Sequence, residues 1–201
     1  MKLKLILTAP VPELADAFER HFARLKNVEI HRGPFETVPE FDAMVSAANS
    51  FGLMDGGVDL AITRYFGVQL MQRVQEHIID HYRGEQPVGT AFTIHTGNKE
   101  HPWLIHAPTM RVPEITAGTD STYRATWAAL LAIHNHFINT GIPVNSVVFP
   151  GMGTGCGQVS PDSAAAQMAL AWHRFNNPPE SINWNIAHRR AVSVINAIKG
   201  I

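Results

Sequence analysis

Apolar positions along this chain fall into short unbroken runs and longer stretches spaced by three and four. Leu3 to Ala9 is of the first kind and predicts a strand. Pro12 to about Leu25 is of the second kind: Leu14, Ala17, Phe18, Phe22 and Leu25 share one helical face behind an opening proline. Val28 to His31 predicts a short strand, punctuated by Gly33-Pro34, and Pro39 precedes a strand from Phe41 to Val45. A glycine-bearing loop follows, then helices over Val58 to Phe66 and Val68 to Tyr82, parted by Gly67. Gly84 and Pro87 end that region. Val88 to Thr96 and Trp103 to Ala107 predict two strands that can pair as a hairpin around Gly97-Asn98.

Pro108 to Thr119 carries no regular pattern. A long helix is predicted from about Asp120 to Asn139, with Thr119 or Asp120 as its cap and Gly141 and Pro143 as its stop. Val144 to Pro150 predicts another strand. Ser160-Pro161-Asp162 joins a capping hydroxyl, a proline at the first helical position and an acid, and so starts a helix running to about Phe175. Asn176-Asn177-Pro178-Pro179 sets off a tail in which Ile182, Ile186, Val192, Ile195 and Ile198 predict a last helix. Strands and helices intermix throughout, which favours an α/β sheet covered on both faces.

With 201 residues the chain is long enough for one domain with a sizeable core. Its 45% hydrophobic and 16% charged residues are ordinary for a globular protein. A formal net charge of −1 offers no basic surplus, which argues against a general nucleic-acid binder and leaves room only for a local basic patch. The single cysteine excludes an internal disulfide and fits a reducing compartment. The apolar run after Met1-Lys2 is too short for a signal peptide, and no stretch approaches the roughly 18 apolar residues of a membrane span. A soluble, cytoplasmic protein with no membrane contact is the expectation.

Candidate chemistry lies in two loops, each placed between a strand and a helix. The first runs from Ser46 to Asp59 and holds Asn49, Gly56-Gly57 and Asp59; the second is Gly151-Met152-Gly153-Thr154-Gly155-Cys156-Gly157. Such loops bring bare backbone N–H groups to a ligand, because a side chain would block the approach. We expect the two to face each other across one ligand. Asn49 has a second reading as a turn residue, and Asp59 as an acid favoured at a helix N-terminus. The second loop fits neither the dinucleotide fingerprint, the P-loop nor the nucleophile elbow. It remains a backbone cradle for phosphate, with Thr154 as a hydroxyl donor.

Other chemistry-bearing residues favour structural readings. His77 and His81 stand one helical turn apart without the Glu of a zinc-protease helix, so no metal is expected. His95 and His106, placed on central strands, are expected to be buried and hydrogen-bonded. Cys156 lacks a base in the sequence and reads as a small, partly buried loop residue. Trp127, Trp172 and Trp184 read as core.

The motifs, taken together, resemble the macro domain family. Phe41-Asp42-Ala43-Met44-Val45-Ser46-Ala47-Ala48-Asn49-Ser50, then Gly56-Gly57-Val58-Asp59 and Ala61-Ile62, is similar to its signature DAIVNAANS…GGGGVDGAI. Trp103-Leu104-Ile105-His106 resembles its YVIHTVGP strand, and Val148 to Gly155 its IAFPAISTGIYGFP phosphate loop. The resemblance implies a three-layer α/β/α sandwich with a mixed central sheet. It implies one domain over residues 1–201, with the motif-bearing core at about 41–175 and a helical extension at about 180–200.

It further implies a cleft for ADP-ribose or an ADP-ribosylated substrate, with no cofactor. The ligand would be lined by Glu36, Ala47, Ala48, Asn49, Gly56, Gly57, Val58, Gly151, Gly153, Thr154, Gly155, Cys156 and Gly157. Asn49 and Asp59 would be the catalytic pair at the distal ribose. The sequence departs from the family pattern at Ser46, where an asparagine is usual, at Met54 and Asp55 in place of glycines, and at Gly157 in place of an aromatic. Pro34-Phe35-Glu36 replaces the acid that usually reads the adenine amine, with Glu36 as its substitute. Three functions stay open on this reading: hydrolysis of ADP-ribosyl esters or O-acetyl-ADP-ribose, binding without turnover, and an interaction module that has lost the ligand.

Overall fold

The computed structural model describes residues 2–201. Six strands form one sheet: β1 (Lys4–Thr8), β2 (Val28–His31), β3 (Ala43–Asn49), β4 (Phe92–His95), β5 (Trp103–Met110) and β6 (Ser146–Phe149). Their order is β2-β1-β6-β3-β5-β4, parallel except for β4, which pairs antiparallel with β5. The six helices are α1 (Pro12–Phe22), α2 (Gly57–Phe66), α3 (Val68–Tyr82), α4 (Ser121–Thr140), α5 (Pro161–Asn176) and α6 (Trp184–Ile198). A parallel strand must return to the start of the sheet by a crossover, so most of the helices lie across its faces.

Strand side chains alternate between the two faces, and each face seeds a separate core. Leu5, Leu7, Val45, Ile105, Val147 and Phe149 pack with α1, α4 and α5, where Phe18, Ile133, Met168 and Trp172 are buried. Ile6, Met44, Leu104 and Val148 point to the other side, against Ile62 of α2 and Leu70, Val74 and Ile78 of α3. The architecture is therefore a three-layer α/β/α sandwich with a mixed sheet. Helix α6 lies outside these layers, against α5, through Ser163 Oγ donating to the Ile198 carbonyl and Arg174 donating to that of Arg190. No described helix is long and apolar enough to cross a membrane.

Most expected elements form, several with shifted ends. The strand expected from Phe41 to Val45 is displaced to Ala43–Asn49, and the strand expected to end at Ala107 continues to Met110. That extension takes up part of the stretch read as patternless, because β3 supplies a partner through Ala48↔Pro108 and Asn49↔Met110. The strand expected from Val88 covers only Phe92–His95, and the first helix stops at Phe22 instead of near Leu25. The start of α5 is as expected: Ser160 Oγ accepts from the Ser163 amide, with Pro161 in the first turn.

Three side-chain expectations are corrected. His95 is hydrogen-bonded as expected, its Nδ1 accepting from the Gly97 amide at 2.9 Å, but it is exposed, because β4 is an edge strand. Trp184 is 89% exposed, since the inner face of α6 is built from other residues. Cys156 is exposed, at the open side of its loop. Trp172 is buried as expected, and its indole N–H donates to the Lys26 carbonyl at 3.2 Å.

Candidate active site

The sheet opens where β6 and β3 lie side by side. The chain leaving β3 passes to α2 on one face, and the chain leaving β6 passes to α5 on the other. Diverging exits at the carboxyl ends of neighbouring parallel strands leave a crevice, the usual ligand position in open α/β sheets. A cavity of about 400 Å³ lies there, within the range of small-molecule sites.

Every residue singled out in the sequence as a site residue lines this cavity. The loop after β3 supplies Ala47, Ala48, Asn49, Gly56, Gly57, Val58 and Asp59; the loop after β6 supplies Gly151, Gly153, Thr154, Gly155, Cys156 and Gly157; Glu36 stands at a third side. The two loops do face one another. Sequence reasoning missed the wall formed by Thr8, Pro10, Val11 and Leu14, and the contributions of Phe35, Leu53, Thr109, Met110 and Pro113. The first group was open to discovery, because β1 neighbours β6 and its carboxyl end must reach the same crevice.

The polar character of the cavity is unusual for an anion site. Among the described residues that line it there is no Lys, Arg or His, whereas Glu36, Asp55 and Asp59 are acids. Positive potential comes from backbone. The amides of Gly153, Gly155, Cys156 and Gly157 donate to no described residue, nor do those of Gly56, Gly57, Val58 and Asp59 ahead of and within the first turn of α2. A helix start and a turn rich in free N–H groups both attract phosphate oxygens.

The glycines of the second loop divide by function. Gly153 has φ +77, and an added Cβ would meet Thr122 Oγ1 at 2.8 Å, so the fold itself requires glycine there. At Gly155 an added Cβ would meet nothing within 4 Å, so its bare backbone simply faces the cavity. Behind the loop, the Gly157 carbonyl accepts from the amides of Thr116 at 2.9 Å and Ala117 at 3.0 Å, and the Met152 carbonyl accepts from Thr122 Oγ1 at 2.9 Å. These bonds anchor the loop through its carbonyls and leave the amides named above without a partner among the described residues.

Asn49 uses its side chain to shape the first loop. Its Nδ2 donates to the Leu53 carbonyl at 2.8 Å, and its Oδ1 accepts from the amides of Phe51 at 3.0 Å and Leu53 at 3.3 Å. Met54, one of the departures from the family glycines, is buried in the α2/α3 core, and its carbonyl accepts from Thr63 Oγ1 at 2.9 Å. A buried side chain thus anchors the loop where glycine would leave it free.

Asp59 is the most perturbed group of the cavity. It is only 5% exposed, and Ser46 Oγ donates to its Oδ1 at 2.6 Å. Its Oδ2 takes no hydrogen bond from any described residue and is not among the enclosed, unpartnered atoms, which leaves it as the accessible part of the group on the cavity wall. Burial pushes the carboxyl up to about 6; the Ser46 hydroxyl opposes that rise, and the nearby charge of Asp55 adds to it. A carboxylate with one oxygen held and a proton affinity near neutrality is equipped for proton transfer.

Next to Ser46 in the sheet, His106 is fully buried, as expected from sequence. Its Nδ1 lies 2.6 Å from Gln86 Oε1, which can only accept, so Nδ1 carries the proton. Burial lowers the imidazole to about 3, and it is neutral at ordinary pH. It supports the wall from behind and does not line the cavity.

Comparison with known proteins agrees with this architecture. The macro domain family model matches residues 45–168. An uncharacterized Aquifex aeolicus protein is 33% identical over 150 residues, covering 74% of this chain and 82% of that protein. A macro domain-containing protein of Listeria monocytogenes is 33% identical over 138 residues, 67% of this chain and 72% of its own. Among solved structures, the macrodomain of Mycobacterium tuberculosis DarG superposes with a TM-score of 0.56 at 20% identity, over 68% of this chain and 84% of that one. A mutant Oceanobacillus iheyensis macrodomain with ADPR gives 0.56 at 18% identity, over 79% and 87%. The two loops, their order around the crevice and the family match give one conclusion: this chain belongs to the macro domain family.

Proposed function

We propose that the protein binds ADP-ribose in the cavity between the two loops and hydrolyses ADP-ribosyl esters, O-acetyl-ADP-ribose among them. The observation that carries the catalytic part is Asp59: a nearly buried carboxyl on the cavity wall, with Oδ1 fixed by Ser46 and Oδ2 open. The binding part is supported by the free amides of both loops, which suit a diphosphate. Family membership and the ADPR named with the Oceanobacillus iheyensis macrodomain point to the same ligand.

In this reading the diphosphate lies against the amides of the second loop and the start of α2, and the distal ribose reaches Asp59. Water adds to the ester carbon as Asp59 Oδ2 accepts its proton. The bond from that carbon to the ribose oxygen then breaks, and the proton passes to the departing ribose hydroxyl. The products are a carboxylic acid and ADP-ribose, with Asp59 regenerated. Free amides already in place stabilise phosphate charge without having to reorganise.

Asp59→Ala tests the proposal. Turnover of O-acetyl-ADP-ribose should fall at least about a hundredfold, the scale of general-base loss, while calorimetry still detects ADP-ribose. Unchanged turnover sinks the catalytic reading. A second reading, binding without turnover, is favoured by one observation: Asn49 spends both acceptor sites of Oδ1 and one of its two Nδ2 hydrogens within its own loop, leaving a single N–H for a ribose hydroxyl. ADP-ribose binding by a wild-type protein inert on every ester tried would select it.

A further inference from the structure

Asp59 belongs to the first turn of α2, where an acid normally stands in water and is favoured by the helix N-terminus. Here it is buried, and no Lys, Arg or His hydrogen-bonds it. A buried carboxylate without a cation needs a donor for each enclosed oxygen. The described residues supply one side-chain donor, and it comes from another element.

That donor is Ser46, in the middle of β3. Strand alternation turns its side chain to the face of Met44, toward α2 and α3. It is 0% exposed, and its hydroxyl bonds to Asp59 Oδ1 at 2.6 Å and to no other described residue. An ionised carboxylate only accepts, so the hydroxyl must donate. The separation lies in the range of charge-assisted O–H···O⁻ bonds. Strand β3 is held on both sides, by β5 along its whole length and by β6 at Ala43 and Met44. The hydroxyl is therefore a fixed point, whereas Asp59 sits on a helix that follows a long loop.

We propose that Ser46 is the positioning residue of Asp59: its hydroxyl holds Oδ1, sets the plane of the carboxylate and leaves Oδ2 facing the cavity as the proton acceptor. The chemical consequence rests on the hydrolytic reading above; the hydrogen-bond role does not. Ser46 touches neither the cavity nor a ligand in it, and it acts only through Asp59. A purely space-filling serine would be replaced by alanine without electrostatic effect. A positioning hydroxyl would not, because its loss strands a charged oxygen. The opposing influence of Ser46 on the raised Asp59 carboxyl has the same sense.

The test compares wild type, Ser46→Ala and Ser46→Thr. Asp59 is titrated directly by carboxyl-carbon NMR on aspartate-labelled protein, with Asp59→Asn identifying the resonance. A charge-assisted bond corresponds to about one pH unit or more. Ser46→Ala should raise the midpoint by that amount, and Ser46→Thr should restore it. With O-acetyl-ADP-ribose, Ser46→Ala should lower kcat about fivefold at pH 6, with KM within about threefold, and the deficit should shrink as pH rises and be nearly gone by about pH 8, where the carboxyl is ionised again. An unmoved midpoint in Ser46→Ala overturns the proposal. So does a kcat loss that is equal at all pH values. If the wild type turns over no ester, the hydrolytic reading fails and the titration alone decides the role of Ser46. If the extra methyl of threonine prevents folding, Ser46→Ala carries the decision.

Discussion

Replacing Asp59 by asparagine should make the protein more stable, by an amount that depends on pH. Moving a carboxyl from its ordinary 3.8 to about 6 by burial costs the folded state about 3 kcal/mol above pH 6. Asparagine has nearly the same shape, keeps an oxygen for the Ser46 hydroxyl and puts its NH₂ where Oδ2 meets the cavity. It removes the charge without leaving a new enclosed donor. The sign follows from proton counts. Between pH 6 and 3.8 the folded wild type holds a proton on Asp59 that the unfolded chain lacks, so acidification stabilises the wild type there. The advantage of Asp59→Asn is therefore full above pH 6, shrinks by about 1.4 kcal/mol per pH unit below it, and is close to zero below about pH 4. Urea unfolding of both proteins at pH 8, 6, 5 and 4 reads it. His106 titrates in the same acid range but is common to both proteins and cancels in the difference. A variant less stable at pH 8, or a gain constant across the series, would refute the assignment of a buried carboxylate to Asp59.

Other substitutions separate ligand space from fold. Gly155→Val places its side chain in the open cavity, so ADP-ribose affinity should fall at least tenfold by calorimetry while the melting temperature stays within about 2 °C. Gly153→Ala meets both a positive φ and Thr122 and should destabilise by about 2–3 kcal/mol in urea. With no cation among the described residues that line the cavity, ADP-ribose affinity should change less than about threefold between 50 and 500 mM NaCl; a steep loss would show that a mobile Arg or Lys reaches in. His106, lowered to about 3, is proton-poor in the folded state relative to the unfolded chain, so its contribution is lost as pH falls from 6.5 towards 3. His106→Leu should flatten the acid limb of a stability profile by about 1.4 kcal/mol per pH unit, even though it lowers stability at pH 7.5.

Both loops could be read in the sequence because glycine is informative wherever bare backbone is required. Gly56, Gly57 and Gly155 have open space where a Cβ would stand, and Gly153 has none. The roles of polar residues beside them were less legible. Asn49 had two sequence readings, and its three hydrogen bonds within the loop realise the turn reading in this structure. Ser46 read as a departure from a family pattern. Nothing in one dimension showed that its hydroxyl meets a residue thirteen positions away across a strand, a loop and a helix turn. His95 and Trp184 were misplaced because an apolar pattern gives a face and not what covers it.

What the sequence by itself determined was the series of elements, the two strand-loop-helix junctions and hence an α/β sheet covered on both faces. These depend on hydrophobic period and on glycine and proline stereochemistry, which act over a few residues. Only the tertiary structure decided which strands lie side by side, and therefore that the β3 and β6 exits open a single cavity. It alone decided the state of Asp59. A carboxylate at the start of a helix is commonplace, and its proton affinity changes only when distant segments remove water from it and one of them, β3, brings a hydroxyl to its oxygen. Desolvation belongs to the packed molecule as a whole, and no local stretch of sequence encodes it.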